Sequence, residues 1–230
     1  PDSCSDRRRC NCRSRLISVD GPTTDSSNDR PSEMIDEYLQ QLYSDGIAHD
    51  SAHTEPAQRM LNITASTGQF LDLLIRDARP SRILEIGTSN GYSTIWITRA
   101  ASDVGAFVDT VDINVDKIDA ARSNLSAVAL DSRVSLHCED ATAYLARCET
   151  NRYDFVFLDS DRRRYVAWYA DLFRVIANGT LVVDNAISHS RELEAFHRLL
   201  DRNDQYEQCV LPIGKGQLVA RPRIHPASFG

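Results

Sequence analysis

The sequence predicts an α/β fold: a doubly wound, mostly parallel sheet of seven strands, with an antiparallel C-terminal hairpin and an N-terminal helical layer. Three observations predict it. Beyond Pro80, short runs rich in Ile, Val and Leu alternate with amphipathic runs of helical spacing, the pattern of a parallel sheet with crossover helices. Successive apolar runs end in a carboxylate, as at Asp112, Asp159 and Asp184. The last two strand-like runs are joined by Pro212-Ile213-Gly214-Lys215-Gly216, a turn-rich link suited to a hairpin. With 230 residues and 42% hydrophobic content, the chain can form one substantial core and is short for two full domains.

The elements follow in order. Residues 1–30 are dense in Ser, Asp, Arg, Asn and Thr, too polar to offset chain entropy by burial, and read as a disordered tail. From Pro31, Ile35, Leu39 and Leu42 recur at helical spacing. Residues 56–77 read as a second helix carrying Met60, Ile63, Phe70, Leu71 and Leu74 before Pro80 breaks the pattern. Residues 31–80 therefore form a helical layer that makes one domain with a core over residues 81–223. In that core, strands are expected at Arg82–Ile86, Phe107–Ile113, Arg133–His137, Tyr153–Asp159, Thr180–Asp184, Tyr206–Leu211 and Gln217–Ala220. Helices are expected at Tyr92–Ala101, Val115–Val128, Ala141–Ala146, Tyr165–Ile176 and Glu192–Leu200.

Composition narrows the function classes. A net charge of −7 argues against nucleic acid as a partner, despite the arginines of the tail. No apolar run is long enough for a membrane span, and no apolar stretch follows Arg7-Arg8-Arg9, so no secretion signal is visible. The six cysteines lack paired CxxC spacing and read as reduced thiols. A soluble, cytoplasmic protein acting on a small molecule is the expectation.

In a doubly wound sheet the ligand lies beyond the carboxyl ends of the strands, where the winding reverses. There the segment Ile83-Leu84-Glu85-Ile86-Gly87-Thr88-Ser89-Asn90-Gly91 reads as a buried strand turning tightly into a helix. It lacks the central glycine of GxGxxG, and Glu85 would repel a pyrophosphate, which disfavours a dinucleotide. Asp112 follows Gly87 by 25 residues and ends the next strand, where a carboxylate can hold both hydroxyls of a ribose.

The stretch from Glu85 to Ser93, with Asp112, resembles the class I S-adenosylmethionine-dependent O-methyltransferases, specifically the catechol and caffeoyl-CoA group; the resemblance spans residues 55–221. It implies a Rossmann-like core with S-adenosyl-L-methionine as cofactor. Glu85, Gly87, Thr88 and Ser93 are then expected at its methionine and ribose end, Asp112 at the ribose, and Asp140-Ala141 at the adenine. Ile63 and Asp161 complete the cofactor set. Glu139 stands where the family commonly has glycine before that Asp-Ala pair. A homodimer is implied by the likeness of the N-terminal helices to those that pair subunits in the family.

Asp159, Asp184 and Asn185 stand at two further strand ends, within reach of one ion, and three oxygen ligands suit a hard cation such as Mg²⁺. The resemblance implies the same trio as metal ligands. In the alternative, Asp159 accepts hydrogen bonds from Arg162-Arg163-Arg164 and Asp184-Asn185 only starts a loop. The candidate catalytic groups are Asp159, Arg162 and His189. Arg162 occupies the place of the family's lysine, and a guanidinium stays protonated, so it can stabilise a phenolate but cannot take its proton. His189 has a titration range suited to a base, and it can equally be a solvated histidine at a helix start. His49 and His53, between the first two helices, lie in the region that covers the substrate pocket in the family. Trp168 and Tyr169 read as packing residues.

The leading expectation is thus a metal-assisted O-methyltransferase acting on a small, catechol-like hydroxyl compound. Two alternatives stay open: a metal-independent methyltransferase using His189 as base, and a protein that binds S-adenosylmethionine without turnover.

Overall fold

A computed structural model describes residues 30–55 and 58–223. The tail expected over residues 1–30 lies outside them except for Arg30, where the first helix begins.

Among the described residues, seven strands form one sheet: β1 (Arg82–Ile86), β2 (Phe107–Asp112), β3 (Val134–Cys138), β4 (Tyr153–Leu158), β5 (Ile176–Val183), β6 (Tyr206–Leu211) and β7 (Gln217–Pro222). Their order is β3-β2-β1-β4-β5-β7-β6. The first five run parallel, and β7 lies antiparallel between β5 and β6, so the expected hairpin forms with its second strand inside. The helices are α1 (Arg30–Ala52), α2 (Ala65–Ala78), α3 (Tyr92–Val104), α4 (Val115–Ala127), α5 (Ala141–Arg147), α6 (Tyr165–Val175) and α7 (Ser190–Asp201).

Strand periodicity divides the core. Phe155 and Phe157 of β4 pack with Leu71, Ile95 and Leu125 from α2, α3 and α4. Their neighbours Val156 and Leu158 pack on the opposite face with Leu145, Leu172 and Phe196 from α5, α6 and α7. Both faces are covered, which explains why these strands read as unbroken apolar runs. Each such side chain contributes roughly 1.5–3 kcal/mol through burial. The winding reverses between β1 and β4: the chain leaves the β3 edge through α5 and returns beside β1.

Two expectations are corrected. The second helix begins at Ala65 and not at residue 56, because Met60 and Leu61 donate their backbone N–H groups to Asp50 at 2.6 and 2.9 Å. Leu61 is left-handed (φ 52°), and Thr64 then caps α2 by accepting from Thr67 N at 3.1 Å. The fifth strand starts at Ile176, ahead of the expected Thr180. Asn178-Gly179 has the composition of a turn, yet it sits in a register shift between β4 and β5, where a Cβ on Gly179 would come within 2.0 Å of the Asp154 carbonyl oxygen.

Candidate active site

A cavity of about 630 Å³ opens at the carboxyl ends of β1 and β4, at the reversal of winding. Segments distant in sequence wall it: Met60–Ile63 before α2, the turn after β1, Asp112 at the end of β2 with Lys117 beyond it, Asp159–Arg163 after β4, Asn185 and His189 after β5, and Lys215 of the hairpin turn. Ile63, Gly87, Thr88, Ser93, Asp112, Asp159, Asp161, Arg162, Asn185 and His189, all expected at the site, are brought together on it.

The β1 turn is shaped by backbone contact. Gly87 has φ +113°, and a Cβ there would lie 2.1 Å from the Asp159 carbonyl oxygen. Ser89 is left-handed (φ 47°) and donates its N–H to Asp112 Oδ2 at 2.9 Å. Asp112 Oδ1 accepts from Asn114 N at 3.0 Å, so each carboxylate oxygen is positioned by one amide and keeps lone-pair capacity toward the cavity. Thr88 turns its hydroxyl inward to Thr110 at 2.7 Å and presents backbone.

Glu85 lies behind the cavity wall and has no exposed surface. Its Oε1 accepts from Ser93 Oγ at 2.5 Å, and its Oε2 from Thr94 Oγ1 at 2.6 Å and Thr110 Oγ1 at 2.7 Å. Burial outweighs these bonds and pushes the carboxyl up to about 7. Ser93, which does line the cavity, is the part of this cluster that a ligand can touch.

A smaller chamber of about 210 Å³ continues past Asp112 and is lined by Ala141, Asp161 and Trp168. Asp140 does not line it. Its carboxylate caps α5 through Thr142 N at 2.8 Å and pairs with Arg164 at 2.7 and 2.9 Å, which holds it well below the usual carboxylate range. Asp161 is paired with Arg163 at 2.8 and 2.9 Å.

On the other side, Asp159 and Asp184 form a close acidic pair. Asn185 Nδ2 donates to Asp159 Oδ1 and to Asp184 Oδ2, each at 3.0 Å. Asp184 is buried and also accepts from Gln217 Nε2. Asp159 reaches the cavity surface but is crowded by protein, and desolvation with the nearby Asp184 charge pushes it up to about 8. Desolvation raises Asp184 as well. None of the three neighbouring arginines bonds Asp159: Arg162 pairs with Glu192 at 3.1 Å, while Arg163 and Arg164 hold Asp161 and Asp140. His189 Nδ1 shares a hydrogen bond with Ser188 Oγ at 2.9 Å.

His49 and His53 are not brought to the cavity. His49 lies within α1, and the two rings stack with centroids 4.1 Å apart. Trp168 is buried as expected for a packing residue, and it also walls the smaller chamber. Sequence reasoning missed Lys215 and Gln217, which reach the site from the hairpin. A lysine between two glycines in a turn was the available signal for the first.

The profile of a family described as O-methyltransferase matches residues 32–223. A catechol O-methyltransferase of Niastella koreensis is 29% identical over 175 residues, covering 73% of this chain and 79% of that protein. A catechol O-methyltransferase of Mycobacterium tuberculosis is 35% identical over 126 residues, covering 54% of this chain and 57% of that protein. Among solved structures, the O-methyltransferase from Bacillus cereus in complex with SAH is similar with TM-score 0.66 at 24% identity, covering 83% of this chain and 91% of that one. The O-methyltransferase TomG from Streptomyces achromogenes, in complex with SAM, gives TM-score 0.67 at 24% identity, covering 82% and 90%. At these identities the two structures speak to the fold.

Proposed function

The chain belongs to the O-methyltransferase family, and from that premise we propose that it transfers the methyl group of S-adenosylmethionine to a hydroxyl of a small, catechol-like acceptor with the help of a divalent cation. The observation that carries this reading is Asp159 on the wall of the cavity, joined through Asn185 to the buried Asp184 behind it, in a cavity also lined by the Gly87 turn and Asp112. The relatives that bear catechol O-methyltransferase names support the acceptor class.

The residues fit a hard cation. Two crowded carboxylates, both raised by desolvation, receive hydrogen bonds only from amide N–H groups of Asn185 and Gln217, with Lys215 and Arg162 acting on them from a distance. All three side chains of the expected ligand set carry oxygen, the donor type that suits Mg²⁺. Asp159, Asp184 and the amide oxygen of Asn185 would hold the ion. A bound divalent cation supplies Lewis acidity toward the acceptor hydroxyl.

The chain's own groups account for the rest. Asp112, with one amide on each oxygen, accepts the ribose hydroxyls. Ser93 donates to Glu85, which leaves its oxygen free to accept from the methionine ammonium. Ala141 and Trp168 give the adenine an apolar slot. Arg162, braced by Glu192, stays cationic and stabilises the developing oxyanion. His189 is on the cavity wall with one ring nitrogen held by Ser188, which makes it the side chain suited to accept the acceptor's proton.

Methyl transfer to catechols and monophenols, measured with Mg²⁺ and with chelator, tests the reading. Catechol methylation abolished by chelator and restored by Mg²⁺ is expected. Turnover indifferent to chelator would shift the chemistry to His189 alone, and absence of cofactor binding by calorimetry would refute the proposal at its base.

A further inference from the structure

Beside the main cavity lies a chamber of about 300 Å³, and the two share Leu61, Asn62 and Lys215 as a common wall. Among the described residues, three charged side chains line it: Asp50, Arg59 and Lys215. Asp50 is already engaged, because its two oxygens accept from Met60 N and Leu61 N. Its approach to Arg59 Nε is 3.9 Å, too long for a hydrogen bond. Among the described residues, Arg59 Nε is buried without an acceptor, and Oδ1 of Asn62, a residue of the shared wall, is buried without a donor.

Lys215 is placed by construction. Its carbonyl accepts from Ile187 N at 3.2 Å and Ser188 N at 3.0 Å, which pins the hairpin turn to the loop that follows β5. Gly214 and Gly216 on either side have φ +58° and +96°, and a Cβ on Gly216 would meet Ile187 N at 2.4 Å. The charge of Lys215 acts on Asp159 and Asp184 from a distance, lowering both. Among the described residues, the charged lining of the chamber is thus two cations and one carboxylate, and that carboxylate is already engaged by backbone.

We infer that the acceptor carries a carboxylate that enters this side chamber and is held by Lys215 and Arg59, while the hydroxyl to be methylated stays in the main cavity. The inference rests on the methyl-transfer reading for the identity of the guest as an acceptor. Two charge-assisted contacts on one carboxylate select an acidic acceptor over an uncharged one of equal size.

The test compares 3,4-dihydroxybenzoate and 3-(3,4-dihydroxyphenyl)propionate, each with its own methyl ester, binding to the full chain loaded with S-adenosylhomocysteine. At least one acid is expected to bind ten-fold or more tightly than its ester, with the preference in turnover expressed in KM. Lys215→Met and Arg59→Met should each shrink the acid-to-ester ratio, with S-adenosylhomocysteine affinity and melting temperature recorded alongside as a check on folding. Ratios near one for both pairs, a ratio that survives in both variants, or failure of all four compounds to bind overturns the inference. Selective binding of an acid without its methylation leaves the inference standing and counts against the transferase reading instead.

Discussion

Asp159 and Asp184 are where single residues pull stability and chemistry apart. A carboxylate buried beside another carboxylate is a liability to the fold, whatever it does for a ligand. Asp159→Asn and Asp184→Asn are therefore expected to leave the apoprotein as stable as the parent or more so in urea unfolding. Both should lower kcat/KM for a catechol by roughly 10²-fold or more, the scale set by losing a group that positions the reacting atoms. Lower stability together with unchanged turnover would show the pair to be structural. Both residues were readable in the sequence because each ends an apolar run. Glu85 was readable as a strand end too, but its three hydroxyl partners were not, since Thr110 lies on another strand and meets it only through the β1–β2 register.

At the scale of elements, the strands were the most legible part, because burial on both faces writes itself as a run of Ile, Val, Leu and Phe. The loop before α2 was not legible. Met60 and Ile63 have helical spacing with Phe70, but Asp50 captures two amides that a helix would have needed. That competition involves a partner ten residues upstream, beyond the reach of a local pattern. The true start of α2 rests on Thr64, so Thr64→Ala should destabilise the protein by about 1 kcal/mol, seen as a lower urea midpoint with an unchanged slope. An unchanged midpoint would mean that Thr64 matters only to the loop. The hairpin was legible as a hairpin. Its contribution of Lys215 and Gln217 to the site was not, because β7 inserts between β5 and β6, and that order is decided by tertiary packing.

For the molecule as a whole, Glu85 ties stability to pH. Its folded value, about 7, lies above its ordinary 4.5, so the native state holds a proton that the unfolded chain releases. Its contribution is fully present below pH 4.5 and is lost as pH rises through about 7. The difference is on the order of 3 kcal/mol. Asp159 pulls in the same direction, so the comparison must isolate Glu85. Unfolding free energies of the parent and of Glu85→Gln, taken at pH 5 and pH 7, should show the parent losing more stability over that interval. Parallel curves would remove Glu85 from the account.

The inserted position of β7 also bears on how the protein is made. Synthesis runs from the N-terminus, and every strand that shapes the proposed adenosyl side has left the ribosome by the end of β4. Gln217, which braces Asp184 and reaches Thr67 at 3.2 Å, arrives only with the final strand. A nascent or truncated chain ending before β7 would thus carry an open sheet edge on β5 and an acidic pair without its brace. The Asp184 side of the cavity is therefore completed last, by the strand that closes the sheet between β5 and β6.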